Sequence, residues 1–363
     1  MSAGQQAPPA IPPAWLAAAI DPPHALGPPG VCGQLRTSPA DFVVEEQLGF
    51  VPDGGAAHIL LSVEKTDANT LYVARALARF AGVRASDVGL AGLKDRRAVA
   101  RQWFSVPAGH PLDAWRACEG EGFRVLEAHP HSRKLKRGAL AGNRFRIVVR
   151  GLAGDVETLP SRLARLAAGG VPNYFGPQRF GFNGANLSRV QSWLESGQLP
   201  RDRDARGFLL SAARSLAFNT VLAARVGQGN WDRLLGGEVV NLAGSGSVFL
   251  AEVLDESLAA RCEAQDVHPS GPLPGVGGLQ LAGEAAAVEA AALAPLDAVV
   301  CALRESGVEA SRRPLRLLVG DLDWSIEGDA LNVSFALSRG AFATAVLREA
   351  VAFDASGLPG GED

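Results

Sequence analysis

The chain has 363 residues, of which 47% are hydrophobic and 20% charged, and its formal net charge is −3. This length suits two domains, or one domain carrying an insertion, and the apolar fraction is ample for packed cores. The charge balance excludes a polycation, so any nucleic-acid contact has to come from local basic patches.

Four cysteines, Cys32, Cys118, Cys262 and Cys301, lie far apart and form no CxxC pair. That spacing argues against zinc and against a disulfide framework. No uninterrupted apolar run approaches the length of a membrane span, and the N-terminus lacks the basic-then-apolar pattern of a signal peptide. The expectation is a cytoplasmic protein with no membrane association and no metal.

Residues 1–30 carry eight prolines. Such a stretch is short of backbone donors and apolar mass, so a loosely ordered arm is expected, with structure starting near Leu35. After the Ser38-Pro39 turn signal, the β-branched and aromatic content of residues 42–47 predicts a strand. Residues 58–65 (HILLSVEK) predict a second, with turn chemistry between them at Pro52-Asp53-Gly54-Gly55. Residues 69–80 predict a helix with Val73, Ala76, Leu77 and Phe80 on one face, Asp67 or Asn69 as cap, and Gly82 at its end. Short strands are expected at 88–91, 103–106 and 123–128. The segment from Arg144 to Arg150 alternates charged with apolar residues, as a half-buried strand does. A helix is expected over 156–166. The composition shifts at Gly169-Gly170. From there to about residue 316 the chain reads as largely helical, broken by Gly-rich loops at 236–246 and 271–278. Strands return at 316–319 and 331–336, and a helix closes the chain at 341–351. Strand-rich stretches thus flank a helix-rich middle, which predicts an α+β domain built from both ends of the chain and interrupted by an insertion.

Gly89–Ser105 reads GLAGLKDRRAVARQWFS. Asp95 sits there between Lys94 and Arg96 at the end of an apolar run. A carboxylate in that place is commonly a turn former or a surface ion-pair partner. Its flanking cations favour the ionised form, and the apolar segments on either side would partly enclose it. Residues 131–150 (HSRKLKRGALAGNRFRIVVR) carry seven Lys/Arg and no carboxylate. This is either a solvated basic face or a phosphate-binding patch that releases counterions. Asn143 and Phe145 lie inside it, and an amide and a ring can pair with and stack on a base; core packing is the simpler reading of Phe145. Residues 171–181 (VPNYFGPQRFG) mix rings, amides and Arg179, and suit either an RNA groove or a domain junction. His129 and His131 have no further ligands nearby, Gly275–Gly278 is not a P-loop, and Ser245 lacks a nucleophile-elbow frame.

Six segments carry a resemblance, in this order: LRTSPADFVVEE (35–46), GLKDRRAVARQW (92–103), KLKRGALAGNRF (134–145), GVPNYFGPQRFG (170–181), SAARSLAFN (211–219) and GAFATAVLRE (340–349). Together they resemble the TruD family of tRNA pseudouridine synthases, over nearly the whole chain after residue 30. The resemblance implies an α+β catalytic domain with a central mixed, largely antiparallel sheet over 31–168 and 317–363. An inserted α/β TRUD domain at 169–316 would interrupt it, and the Pro-rich arm at 1–30 would precede it. It implies isomerisation of uridine 13 of tRNA to pseudouridine without a cofactor, with tRNA as partner and no protein partner. Asp95 matches the family's catalytic aspartate. Phe42, Asn143, Phe145 and Phe342 match residues that contact the uridine or shape its pocket, and Arg36, Glu46, Lys94 and Gln102 fall in supporting motif positions. Arg133, Lys134, Lys136, Arg137 and Arg179 are the candidates for RNA backbone contacts. Two departures stand out: Ala100 where the family usually has threonine, and Arg36 where it often has lysine. The alternative is a non-catalytic RNA-binding or tRNA-folding protein on the same fold. An enzyme of small phosphorylated ligands lacks a phosphate loop.

Overall fold

The computed structural model describes residues 11–181 and 184–353. Contacts divide the chain into two units. One unit comprises Gly30–Leu163, Val319–Ala343 and the segment from Val351; the other comprises the segment ending at Pro29, Ala164–Leu318 and Thr344–Ala350.

The first unit is built on a ten-stranded sheet. At its centre lies Phe42–Leu48, paired antiparallel with the long strand Leu140–Gly154 and parallel with Val99–Pro107. Beyond Val99–Pro107 come His58–Thr66 and Phe123–His131; beyond Leu140–Gly154 come Ala330–Ser338 and Gly320–Glu327, all antiparallel. Val31–Leu35 adds to Leu140–Gly154 as well. The fold is therefore mixed α+β with a largely antiparallel sheet.

Alternation along the strands sorts residues onto two faces. Phe42, Val44 and Glu46 share one face with Ala100, Gln102 and Phe104, with Leu61, Val63 and Lys65, and with Asn143, Phe145 and Ile147. Part of that face is a core of Leu61, Val63, Phe104 and Val106 covered by Val73 and Leu77 of the helix Thr70–Ala81. This helix has the expected limits. Asn69 Oδ1 accepts from the amides of Leu71 and Tyr72, and Gly82 ends the helix in the left-handed conformation at φ 66°.

In the second unit the helix Arg203–Gly227 is central, with Leu209, Leu216, Phe218 and Leu222 among its buried residues. By length and composition it could cross a membrane, as could the stretch Gly283–Glu305; here its apolar residues form the interior of the unit. Arg225 within it makes a buried ion pair with Glu238 at 3.0 Å.

The sequence expectation for this region needs correcting. Both Gly-rich stretches contribute strands: Val239–Leu242 and Val267–Leu273 pair with each other and with Val248–Leu250 and Ser311–Pro314 in a four-stranded antiparallel sheet. The sequence VHPSGPL hides its strand because two prolines and a glycine break the apolar alternation. Gly271 is required there, since a Cβ would meet Leu315 at 2.7 Å and Phe218 at 2.9 Å.

The ends of the chain differ as well. Residues 13–20 are not a loose arm but a helix, Pro13–Ile20, with Trp15, Ala18 and Ala19 buried. Asn219 donates to the Ala18 carbonyl at 3.0 Å, and Pro13 occupies a first-turn position where its missing N–H costs nothing. Residues 1–10 lie outside the described residues. The closing helix, Ala343–Ala350, has Thr344–Ala350 in the second unit, where Glu349 accepts from the Ala25 amide at 3.0 Å and Arg348 reaches the Pro22 carbonyl.

Candidate active site

Asp95 lies in the irregular segment between Gly89–Leu90 and Val99–Pro107. Its carboxylate is bound by the Arg36 guanidinium. Arg36 is 6% exposed at its side chain and Asp95 23%, so the pair is enclosed on the arginine side and open on the aspartate side. Arg36 also lies over the Phe42 ring, 4.0 Å from its centroid. The arginine backbone is left-handed, at φ 57°, a conformation that costs a non-glycine residue about 1–2 kcal/mol and tends to persist at functional positions.

The flanking cations do not serve Asp95 as their spacing suggested. Lys94 Nζ turns to Glu46, 2.5 Å away, and Arg96 pairs with Asp67 at 3.5 Å. Glu46 is buried and also accepts from the Trp103 amide at 2.8 Å. Burial pushes its carboxyl above the usual range, and the Lys94 charge pulls it back.

The segment 92–95 has no regular structure and is braced from three elements. Lys65 Nζ, from the strand His58–Thr66, donates to the carbonyls of Asp95 at 2.7 Å and Ala68 at 2.8 Å. Thr70 Oγ1, at the first turn of its helix, accepts from the Lys94 amide at 3.1 Å and donates to Gln102 Oε1 at 3.1 Å. Gln102 Nε2 donates to the Gly92 carbonyl at 2.5 Å. Lys65 and Thr70 are absent from the sequence-based candidates. A signal for Lys65 existed: a lysine in step with Leu61 and Val63 falls on the apolar face of the strand. Thr70 carries no such mark. Ala100 is fully buried, with Val44 and Lys65 as Cα partners on its two sides; the hydroxyl that contacts the loop belongs to Thr70.

The candidate pocket residues gather on the same sheet face. Phe42 and Phe145 meet edge to face with centroids 6.1 Å apart, and Phe145 packs on Phe335 at 5.4 Å. Phe42 and Phe145 are both buried, so these rings form walls. Asn143 is the Cα partner of Glu46 on one side and of Leu337 on the other. Its Oδ1 is buried without a hydrogen-bond partner, an uncommon state for a polar atom and one a ligand donor would relieve. Half-buried Phe342 follows closely on Ser338, whose Cα partner is Gly142, the neighbour of Asn143.

The basic run is a loop rather than a strand over 133–139, and Arg133, Lys136 and Arg137 are exposed. Lys134 is tied down, donating to the Ser86 carbonyl at 2.5 Å. The loop is docked against the entry to the Asp95 segment: the Gly138 amide donates to the Ala91 carbonyl at 2.7 Å and the Leu135 amide to Ser105 Oγ at 2.8 Å. Gly89 permits this approach, because a Cβ there would strike Ser105 Oγ and the Leu135 carbonyl. Arg339 joins the loop from the other side, donating to the Gly138 carbonyl at 3.0 Å. Arg179 belongs to the other unit, where it bonds Ser211 Oγ at 3.2 Å.

A carboxylate held by one cation, a sheet face carrying an amide oxygen without a partner and two ring walls, and an exposed basic loop are groups that suit work on a base turned out of an RNA stack. The chain matches the family model described as "tRNA pseudouridine synthase D (TruD)" over residues 23–201 and 197–350. It is 48% identical over 341 residues to the tRNA pseudouridine synthase D of Methylococcus capsulatus, spanning 93% of this chain and 96% of that protein. Identity to the Nitrosococcus oceani protein of the same name is 47% over 328 residues, spanning 89% and 92%. The crystal structure of a putative tRNA pseudouridine synthase D from Methanosarcina mazei superposes with a TM-score of 0.72 at 20% identity, covering 94% of this chain and 98% of that one. That last likeness establishes the fold.

Proposed function

This chain belongs to the TruD family of tRNA pseudouridine synthases, and on that premise we propose that it isomerises uridine 13 of tRNA to pseudouridine, with Asp95 as the catalytic carboxylate and without a cofactor. The reaction breaks the bond between C1′ and N1, turns the uracil, and joins C5 to C1′; the proton on C5 leaves and N1 gains one. Uracil is both leaving and returning group, so no external reactant is consumed. The ionised carboxylate starts it, by adding to C1′ or by taking a sugar proton.

The observation that carries this reading is the Arg36–Asp95 pair, whose arginine lies over Phe42 on the sheet face that Asn143 shares. Arg36 orients the carboxylate from its enclosed side. Asn143 Oδ1 can accept a hydrogen bond from the N3–H of the detached base, which keeps the base in place while it turns. Phe42 and Phe145 bound the space, and Phe342 supplies a ring at its rim. Turning the nucleotide out of the tRNA costs a few kcal/mol. Phosphate contacts from Arg133, Lys136 and Arg137 offset that cost, with a smaller part for Lys134 because its ammonium is already engaged. Arg179 is the corresponding candidate in the other unit.

The test is multiple-turnover assay of unmodified tRNA with the wild-type chain and Asp95→Asn. The expected result is product at position 13 with the wild type, and none with the variant while tRNA binding survives. Full activity in Asp95→Asn would sink the assignment. A chain that binds tRNA and yields no product at any enzyme level would instead be an RNA-binding or tRNA-folding protein.

A further inference from the structure

We propose that Lys65, acting together with Thr70, is a positioning residue for the reaction: it places the catalytic carboxylate by holding the Asp95 backbone from the strand His58–Thr66. The proposal rests on the assignment of Asp95 above. A lysine that is 1% exposed on an apolar strand face is costly to keep there without specific partners. Hydrophobic residues of similar length would fill the same space. What Lys65 does instead is direct its ammonium at two backbone carbonyls, those of Asp95 and Ala68.

The two carbonyls matter because of where they lie. Ala68 immediately precedes the cap of the helix Thr70–Ala81, and Asp95 is the reacting residue. Lys65 therefore joins the helix start to the catalytic segment through one set of donors. Thr70 repeats the connection one residue earlier in the loop, at Lys94, and passes it to Gln102 and so to Gly92. Lys65, Thr70 and Gln102 each reach backbone of the segment, at Asp95, Lys94 and Gly92, which fixes its peptides and leaves the Asp95 carboxylate to Arg36. The division of labour is that Arg36 sets the direction of the side chain and Lys65 sets the location of its Cα. A displacement of about 1 Å at a reacting group can lower the rate by about 10²-fold, so the brace should act on the chemical step and not on tRNA affinity.

The experiment measures single-turnover pseudouridine formation at saturating enzyme, tRNA affinity and thermal unfolding, for Lys65→Met, Lys65→Arg and Asp95→Asn in parallel. The expected result is a folded Lys65→Met whose rate falls by about 10²-fold with tRNA affinity close to wild type, and a Lys65→Arg that recovers part of the rate because it restores donors. A merely structural lysine would give the wild-type rate in the folded fraction, and that outcome overturns the proposal, as does a loss that vanishes at saturating enzyme. If Lys65→Met does not fold, Thr70→Val and Thr70→Ser decide. A slower chemical step in Thr70→Val that Thr70→Ser restores supports the brace, and a wild-type rate in Thr70→Val overturns it. An active Asp95→Asn removes the reading on which the proposal stands; an inactive one beside an unaffected Lys65→Met removes the positioning role alone.

Discussion

Arg36 is the residue whose replacement best tests how the carboxylate is aimed. Arg36→Met removes the charged hydrogen bond to Asp95 and leaves an apolar side chain against Phe42. A hydrogen bond to a charged group contributes about 1.5–3 kcal/mol. If the bond is made in full only as the reaction proceeds, its loss lowers the single-turnover rate by about 10- to 150-fold. Arg36→Lys keeps the charge but loses the planar face on Phe42, a contact of about 0.5–2 kcal/mol, so its loss should be about 2- to 30-fold. With its side chain 6% exposed, Arg36 has little surface to offer the RNA, and tRNA affinity should stay within about threefold in both variants. The assay is pseudouridine formation on unmodified tRNA with enzyme in excess, alongside equilibrium tRNA binding. A folded Arg36→Met that reacts at the wild-type rate would refute the reasoning, as would a loss carried wholly by tRNA affinity.

Glu46 has its folded-state carboxyl raised by burial, so the folded chain holds that proton to higher pH than the unfolded one. Stability should therefore decline as pH rises from the unfolded value of about 4.5 through the raised one, and Glu46→Gln should flatten this limb in denaturant unfolding. His268 behaves in the opposite sense: burial first, then the neighbouring Arg316, pushes it down to about 4. Its contribution is present above the unfolded value of about 6.5 and is lost as pH falls towards 4, by up to a few kcal/mol. His268→Gln, which keeps an acceptor for Arg316 Nε, should reduce that acid sensitivity. Replacing Arg133, Lys136 and Arg137 together with serine should lower the slope of log affinity for tRNA against log salt by about two to three; an unchanged slope would show that these cations do not meet the RNA.

Local features were legible wherever a short stretch contains its own cause. The helix Thr70–Ala81 was readable because Asn69 and Gly82 mark its ends and Val73 and Leu77 its inner face. The strand from Phe42 was readable from its β-branched run. The sheet of the helix-rich unit was not, because its strand Val267–Leu273 is held by neighbours and not by its own pattern. Pro12-Pro13 looked like an arm because prolines remove donors, yet a helix start has no use for those donors. The site divides in the same way. Its residue types could be placed on the chain, but the partner of Asp95 could not. Lys94 and Arg96 are adjacent in sequence and point elsewhere, while Arg36 is 59 residues away and comes close only through the sheet.

The parallel pairing of Phe42–Leu48 with Val99–Pro107 has a consequence for how the site comes into being. Parallel neighbours begin at the same edge of a sheet, so the segments leading into the two strands, which carry Arg36 and Asp95, start from one edge, where the two residues pair. No hairpin can make that contact; it needs a long crossover, which forms slowly. Asn143 is installed by the still more distant pairing with Leu337. A nascent chain that has emerged only to residue 320 would carry the carboxylate and its arginine but would leave the strand Leu140–Gly154 with an open edge. Such an edge invites pairing with other chains. Catalytic competence should thus appear late, after most secondary structure, when Ala330–Ser338 closes that edge and completes the wall beside the reacting group.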